Sequence, residues 1–217
     1  MNAVVSAIDW DVLQQTSVQK SPFPHLIVPG FIAAAQKDVV NRDFPDIQSP
    51  GSFPAATLHC GDAFSGLLEE LRGARLATLI GEKFGMELGD RETMITVRGQ
   101  CRSTDGKIHL DSKGKLITIL IYMNGPWESD GGRLRLLNGP DDIEDYFAET
   151  PPSQGTMLAF ACADNAWHGH KSFSGRRRAI QLNWVRDERY LRRERQRHTV
   201  SAALKKVSRF FRLQKKT

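Results

Sequence analysis

The strongest constraint on the fold is a change of hydrophobic period near Gly89. Before it, apolar residues recur at helical spacing. Phe31, Ala35, Val39 and Phe44 share a face of Phe31–Phe44, Phe64, Leu67, Leu68 and Leu71 do so in the next segment, and Leu76, Leu79, Ile80 and Phe84 in Ala74–Met86. After it, short alternating runs separated by Gly, Pro, Asn and Asp read as strands: 94–102, 106–111, 115–124, 132–137, 155–162, 168–173 and 177–185. Helices followed by many short strands predict an α+β domain in which a jelly-roll or barrel is buttressed by helices. The segment SPFPHLIVPGFI (21–32) adds an edge strand ending in a Pro-Gly turn, and Asp62 is expected to cap the helix that follows it. At 217 residues the chain suffices for one such core, with 1–88 as support, 89–186 as β core and 187–217 as a tail.

Charge separates the tail from the rest. From Arg186 onward there are 12 Lys and Arg against 3 Asp and Glu, or +9, so the first 185 residues carry −4 of the total +5. A mildly acidic main domain argues against a nucleic-acid groove across the core. In the tail, Val200, Ala203, Leu204, Val207, Phe210 and Phe211 recur at helical spacing among Lys and Arg, predicting a basic amphipathic helix. Its apolar stripe (199–213) can pack on the β domain or a second subunit, or lie on an anionic membrane surface. The first residues lack a basic, signal-like region, and no apolar run is long enough to span a bilayer. The expected location is cytoplasmic, with peripheral attachment to the inner face of a membrane as the variant suggested by the tail. Cys60, Cys101 and Cys162 are scattered and odd in number, which suggests neither a disulfide framework nor a zinc knuckle.

The chemistry concentrates in IHLDSKGK. His109 and Asp111 lie two apart in a strand-like run, so their side chains face the same way. His168, in NAWHGHKSF, is the best candidate for a third ligand. Two imidazoles and one carboxylate on one side of an ion form the facial triad of non-haem Fe(II) oxygenases. Asp111 and His168 are followed by further polar runs, including the triplet Arg176-Arg177-Arg178.

The combination HLD, ITILIYMN, GGRLRLL, GTMLAF and WHGHKSFSGRRRAIQLNWV resembles the prolyl 4-hydroxylase-like branch of the 2-oxoglutarate/Fe(II) dioxygenases over 94–185. The resemblance implies a double-stranded β-helix with the active site in its mouth, and His109, Asp111 and His168 as iron ligands. It implies Fe(II) with 2-oxoglutarate as cosubstrate, ascorbate as an accessory reductant, and hydroxylation of a substrate with release of succinate and CO2. It also places in the arginine triplet the partner of the distal 2-oxoglutarate carboxylate, and gives Tyr122 a hydroxyl contact to the same group. Strand alternation puts Arg177 with Ala179, Gln181 and Asn183 on the polar face, and Arg178 with Ile180, Leu182 and Trp184 on the apolar one. Arg177 is therefore chosen, with Arg178 as fallback. Thr118 and Leu120 share the face of Tyr122, and His170 shares that of His168. Trp127 and Trp167 lie in loops where they either meet substrate or wedge against the core. The loops 103–107, 126–130 and 139–152 are expected to set specificity, and the substrate, a protein side chain or a small molecule or glycolipid precursor, is not encoded in them legibly. Two other readings stand beside this one: a cupin-like metal enzyme that ignores 2-oxoglutarate, and a non-catalytic binding module on the same barrel.

Overall fold

The computed structural model describes residues 5–187 and Arg192. The expected amphipathic helix of the basic tail lies outside them. The helical half begins with α1 (Trp10–Gln15), capped by the Asp9 side chain accepting from Val12 N, a short helix not expected from the pattern. It continues through α2 (Lys37–Arg42), α3 (Asp62–Arg72) and α4 (Ala74–Phe84). The helix expected over 31–44 is shorter than its periodicity suggests, because a 3-10 turn at Ala34–Gln36 precedes α2. Asp62 does not cap α3: Gly61 holds the cap position, and the Asp43 carboxylate, twenty residues upstream, accepts from Ala63 N at 2.9 Å. No local pattern could announce a cap supplied by tertiary contact. Among the described residues, no helix is long and apolar enough to cross a membrane.

The strands are β1 (His25–Val28), β2 (Phe53–Pro54), β3 (Thr93–Cys101), β4 (Lys115–Tyr122), β5 (Leu134–Leu137), β6 (Tyr146–Thr150), β7 (Met157–Ala161), β8 (His168–Gly169) and β9 (Gly175–Val185). They form two antiparallel sheets, β1-β7-β4-β9-β3-β2 and β6-β5-β8. As expected, SPFPHLIVPGFI supplies an edge strand, β1, paired only with β7 in its sheet.

Two predicted strands are corrected. The 106–111 run makes no ladder: its only rung is the bridge in which His109 and His168 exchange backbone hydrogen bonds of 3.0 and 3.1 Å. The 168–173 run pairs only at His168–Gly169. The first segment leaves the large sheet after β3, touches the small sheet at His168 and returns to the large sheet in β4; the second leads from the small sheet to β9. In the other direction, β6 lies inside the expected 139–152 loop. Its partner β5 buries Arg135, whose guanidinium pairs with Glu149 at 2.6 Å and Glu144 at 2.9 Å. A buried cation matched by one carboxylate on the facing strand and one just before it leaves no apolar alternation to read.

Strand parity divides the interior. Ile117, Ile119 and Ile121 of β4, with Ile180, Leu182 and Trp184 of β9, pack against Leu67, Leu71, Leu76 and Ile80 of the helices. The opposite parity, Leu158, Phe160, Tyr122 and Ala179, meets Leu134 and Leu136 of the small sheet in a second core. The face that is apolar near one end of the sheets turns polar near the other, and the cavity opens there.

Candidate metal centre

The bridge between His109 and His168 draws two distant segments to one point, with ring centroids 4.3 Å apart. Gly169 permits this closeness, since a Cβ there would stand 2.9 Å from the Gly106 carbonyl oxygen. One nitrogen from each ring and one carboxylate oxygen of Asp111 all lie within 4.8 Å of one another. Nδ1 of His109 sits 2.8 Å from the Lys107 carbonyl, and Nδ1 of His168 2.9 Å from that of Ala166. A carbonyl only accepts, so each Nδ1 carries the proton and each Nε2 keeps a lone pair for a cation. His168 is buried against Phe160, and that burial, reinforced by His109, lowers its pKa to about 4. It therefore stays a neutral donor at ordinary pH.

Asp111 is fixed from two sides. Lys115 Nζ donates to Oδ1 at 2.6 Å, and Thr118 Oγ1 to Oδ2 at 2.5 Å. Behind Thr118, Asn183 Nδ2 donates to its hydroxyl at 2.7 Å, and Gln181 Nε2 donates to Asn183 Oδ1 at 3.1 Å. Burial alone would raise the Asp111 pKa, but the Lys115 charge and these hydrogen bonds outweigh it and keep the carboxyl ionised. Cys162 lies beside the same carboxylate, and burial, together with Asp111, pushes its thiol up to about 12, so it remains protonated. All three cysteines are free thiols.

A cavity of about 310 Å³ opens over the three ligands and runs to Arg177. That side chain is buried, its Nε donates to the Gly132 carbonyl at 2.8 Å, and its guanidinium carbon lies 5.3 Å from the centre of the Tyr122 ring. Thr118, Leu120, Ala179 and Gln181 line the walls, as strand parity predicts. Arg178, the fallback, points away from the cavity: it stacks over Phe44 and donates to Asn41 Oδ1 at 2.8 Å. The Tyr122 hydroxyl is fully buried beside Arg177 and has no well-formed hydrogen bond among the described residues. Burial raises its pKa, against the nearby Arg177 charge. An orphaned phenol beside a buried guanidinium is a site short of one anion, and a carboxylate-bearing ligand would satisfy both. The donor set thus fits a divalent cation, and the inner end of the cavity fits a carboxylate.

His170 also lines the cavity, with Nδ1 on the Lys171 carbonyl at 2.8 Å. Of the three loops expected to set specificity, only 103–107 contributes lining residues, through Thr104, Asp105, Gly106 and Lys107. Trp127 is a wedge: its Nε1 donates to the Gly131 carbonyl and its ring packs on Phe173. Trp167 does not line the cavity either. Sequence reasoning passed over Lys115 and Arg98. The first stands four residues after Asp111. The second, opposite Ala179 across the β3–β9 pair, shares a strand face with an expected wall residue, a relation visible only once the register is known.

Residues 99–186 match the family model of the 2OG-Fe(II) oxygenase superfamily. This segment contains all three clustered ligands and Arg177. Over these residues the chain matches an oxygenase domain of the class that uses Fe(II) and 2-oxoglutarate, and the His-Asp-His cluster fits iron. Among solved structures, a prolyl-4-hydroxylase of Pseudomonas putida is similar with a TM-score of 0.53 and 16% identity, over 81% of this chain and 96% of that one. An oxidoreductase of the 2OG-Fe(II) oxygenase family from Burkholderia pseudomallei gives 0.51 and 16%, over 75% and 84%. At such identities the likeness speaks for the fold. By sequence, no curated protein matches the chain.

Proposed function

We propose that the protein hydroxylates its substrate with iron held by His109, Asp111 and His168, and 2-oxoglutarate anchored by Arg177 and Tyr122. The observation that carries this reading is one cavity with three convergent ligands at one place and the buried Arg177 guanidinium at another, with the Tyr122 ring behind it in the core. When bound, iron and 2-oxoglutarate supply the O2-dependent redox chemistry, with succinate and CO2 as coproducts. The chain supplies the rest. His109 and His168 offer neutral nitrogens, and Asp111 offers the one anionic ligand, its orientation set by Thr118 and Lys115. Arg177 offers a planar, permanently charged edge that pairs with a carboxylate through two parallel hydrogen bonds, and Tyr122 adds a third donor. Leu120, Leu134 and Ala179 exclude water from the walls.

In architecture, the two facing antiparallel sheets are read as the double-stranded β-helix of this branch, with 1–88 as its buttress, 89–186 as its catalytic core and 187–217 as an appended basic tail. The acceptor of the hydroxyl is a protein side chain or a small molecule; the similarity to a prolyl-4-hydroxylase favours looking first at prolyl peptides.

The test is succinate formation from 2-oxoglutarate by anaerobically Fe(II)-loaded protein after O2 is admitted, alongside its Fe(II)–2-oxoglutarate charge-transfer absorption. Both signals are expected in wild type. His109→Ala should abolish both, and Arg177→Ala should weaken 2-oxoglutarate about 10- to 100-fold, the loss of a charge-assisted pair. Iron binding without any response to 2-oxoglutarate would favour the cupin-like reading instead.

A further inference from the structure

The cavity holds a second guanidinium. Arg98 leaves β3 on the face of Ala179, and lines the same space as Arg177. Its Nε donates to Ser52 Oγ at 2.7 Å, a neutral partner. Asp105, the nearest acidic candidate at the mouth, is engaged by Arg102, which donates to it from its backbone N–H at 3.0 Å and from its guanidinium at 3.1 and 3.3 Å. Among the described residues, no carboxylate forms an ion pair with Arg98. Lys107, exposed at the rim of the cavity, likewise has no such pair.

The charges then do not close. Asp111 is matched by Lys115 and Asp105 by Arg102. Bound Fe(II) and dianionic 2-oxoglutarate cancel, so the charge of Arg177 also remains, though the distal carboxylate lies against it. Arg98, which feels Asp105 only at a distance while that carboxylate pairs with Arg102, and Lys107 are left as two cations without an ion-pair partner among the described residues. A half-buried guanidinium keeps its charge at a desolvation cost, and here Arg177 adds repulsion to it. The cost is offset when an anionic ligand arrives.

Resting on the assignment of Arg177 to 2-oxoglutarate, we infer that Arg98, with Lys107 at the rim, recognises the substrate, and that the substrate carries an anionic group, a phosphate or a carboxylate. Arg98 forms the inner contact, because it lines the cavity and is held by Ser52. Lys107 adds attraction at the entrance. A neutral substrate seated over Arg98 would take water from its terminal nitrogens without giving them a charged acceptor.

The full chain, loaded anaerobically with Fe(II), gives two readouts in a buffer poor in anions. In the first, 2-oxoglutarate is titrated through the charge-transfer band. Arg98→Gln should hold its affinity within about threefold, while Arg177→Gln should lose about tenfold or more. In the second, inorganic phosphate and acetate are titrated by calorimetry into the 2-oxoglutarate-loaded protein. Saturable binding of one of them is expected, with the band unmoved, and the preferred anion tells phosphate from carboxylate. Arg98→Gln should weaken that binding about tenfold or more, and Arg98→Lys, which keeps the charge, should weaken it less. Absence of saturable binding in wild type, or equal binding in Arg98→Gln, overturns the inference alone. So does an Arg98→Gln protein that loses 2-oxoglutarate as Arg177→Gln does, since Arg98 would then be a cosubstrate anchor. A wild type that never binds 2-oxoglutarate overturns the reading beneath it as well.

Discussion

Thr118 shows how much at this site depends on one hydroxyl. It donates to Asp111 and accepts from Asn183, so it links the carboxylate to the centre of the main sheet. Thr118→Val keeps the shape and removes both bonds, leaving the fully buried Asn183 amide without that acceptor. The expected cost is about 1–3 kcal/mol in urea denaturation. Fe(II) affinity should fall by roughly 10- to 100-fold, as when partners of metal ligands are lost. A variant with wild-type iron affinity would show that Lys115 alone orients Asp111. The residue types of the triad were legible in HLD and in the distal histidine. The support of Asp111 was not, because Thr118, Asn183 and Lys115 reach it only through strand register and a turn.

Among the elements, α3 and β3 each depend on a contact from far away in sequence. The N-terminus of α3 is satisfied by Asp43, so Asp43→Ala should destabilise the protein by about 0.5–2 kcal/mol. Asp62→Ala should cost about 1 kcal/mol or less, since Asp62 contributes only a charge near the helix dipole. Equal losses for the two in thermal melts would return the capping role to Asp62. In β3, the register shifts between Arg98 and Gln100, and Gly99 lets the backbone of Ile47 come close. A Cβ at Gly99 would lie 2.6 Å from the Ile47 carbonyl oxygen and 2.7 Å from its Cβ. Backbone cannot swing aside as a side-chain end can. Gly99→Ala is therefore expected to cost about 1–3 kcal/mol by chemical denaturation, and a neutral result would mean that the 47–52 loop yields freely.

For the whole molecule, two buried histidines couple stability to pH. Burial depresses His168, aided by His109, to about 4, and depresses His170, aided by Arg177, to about 4. The unfolded chain takes up these protons near the ordinary 6.5. Between those values the unfolded state binds more protons, so stability rises with pH. The contribution of the two neutral rings is complete above about pH 6.5 and is lost as pH falls toward 4, at roughly 3 kcal/mol for each. The midpoint of thermal unfolding of metal-free protein should fall across that window, and less steeply in His170→Gln. An unchanged slope in His170→Gln would remove His170 from the account.

By itself the sequence determined a mostly helical first part and a β second part, the parity of β4 and β9, the three residues that cluster, and that Arg177 rather than Arg178 faces the cavity. All of these rest on local periodicity and residue chemistry, which a chain carries with it. Only the tertiary structure decided that 106–111 pairs at a single bridge, with His168, rather than along a ladder. It likewise decided that Asp43 caps α3, that β6 pairs around a buried Arg135, and that Arg98 enters the cavity. Each of these is a contact between segments far apart in the chain. Its energy comes from burying or pairing groups that no local pattern brings together.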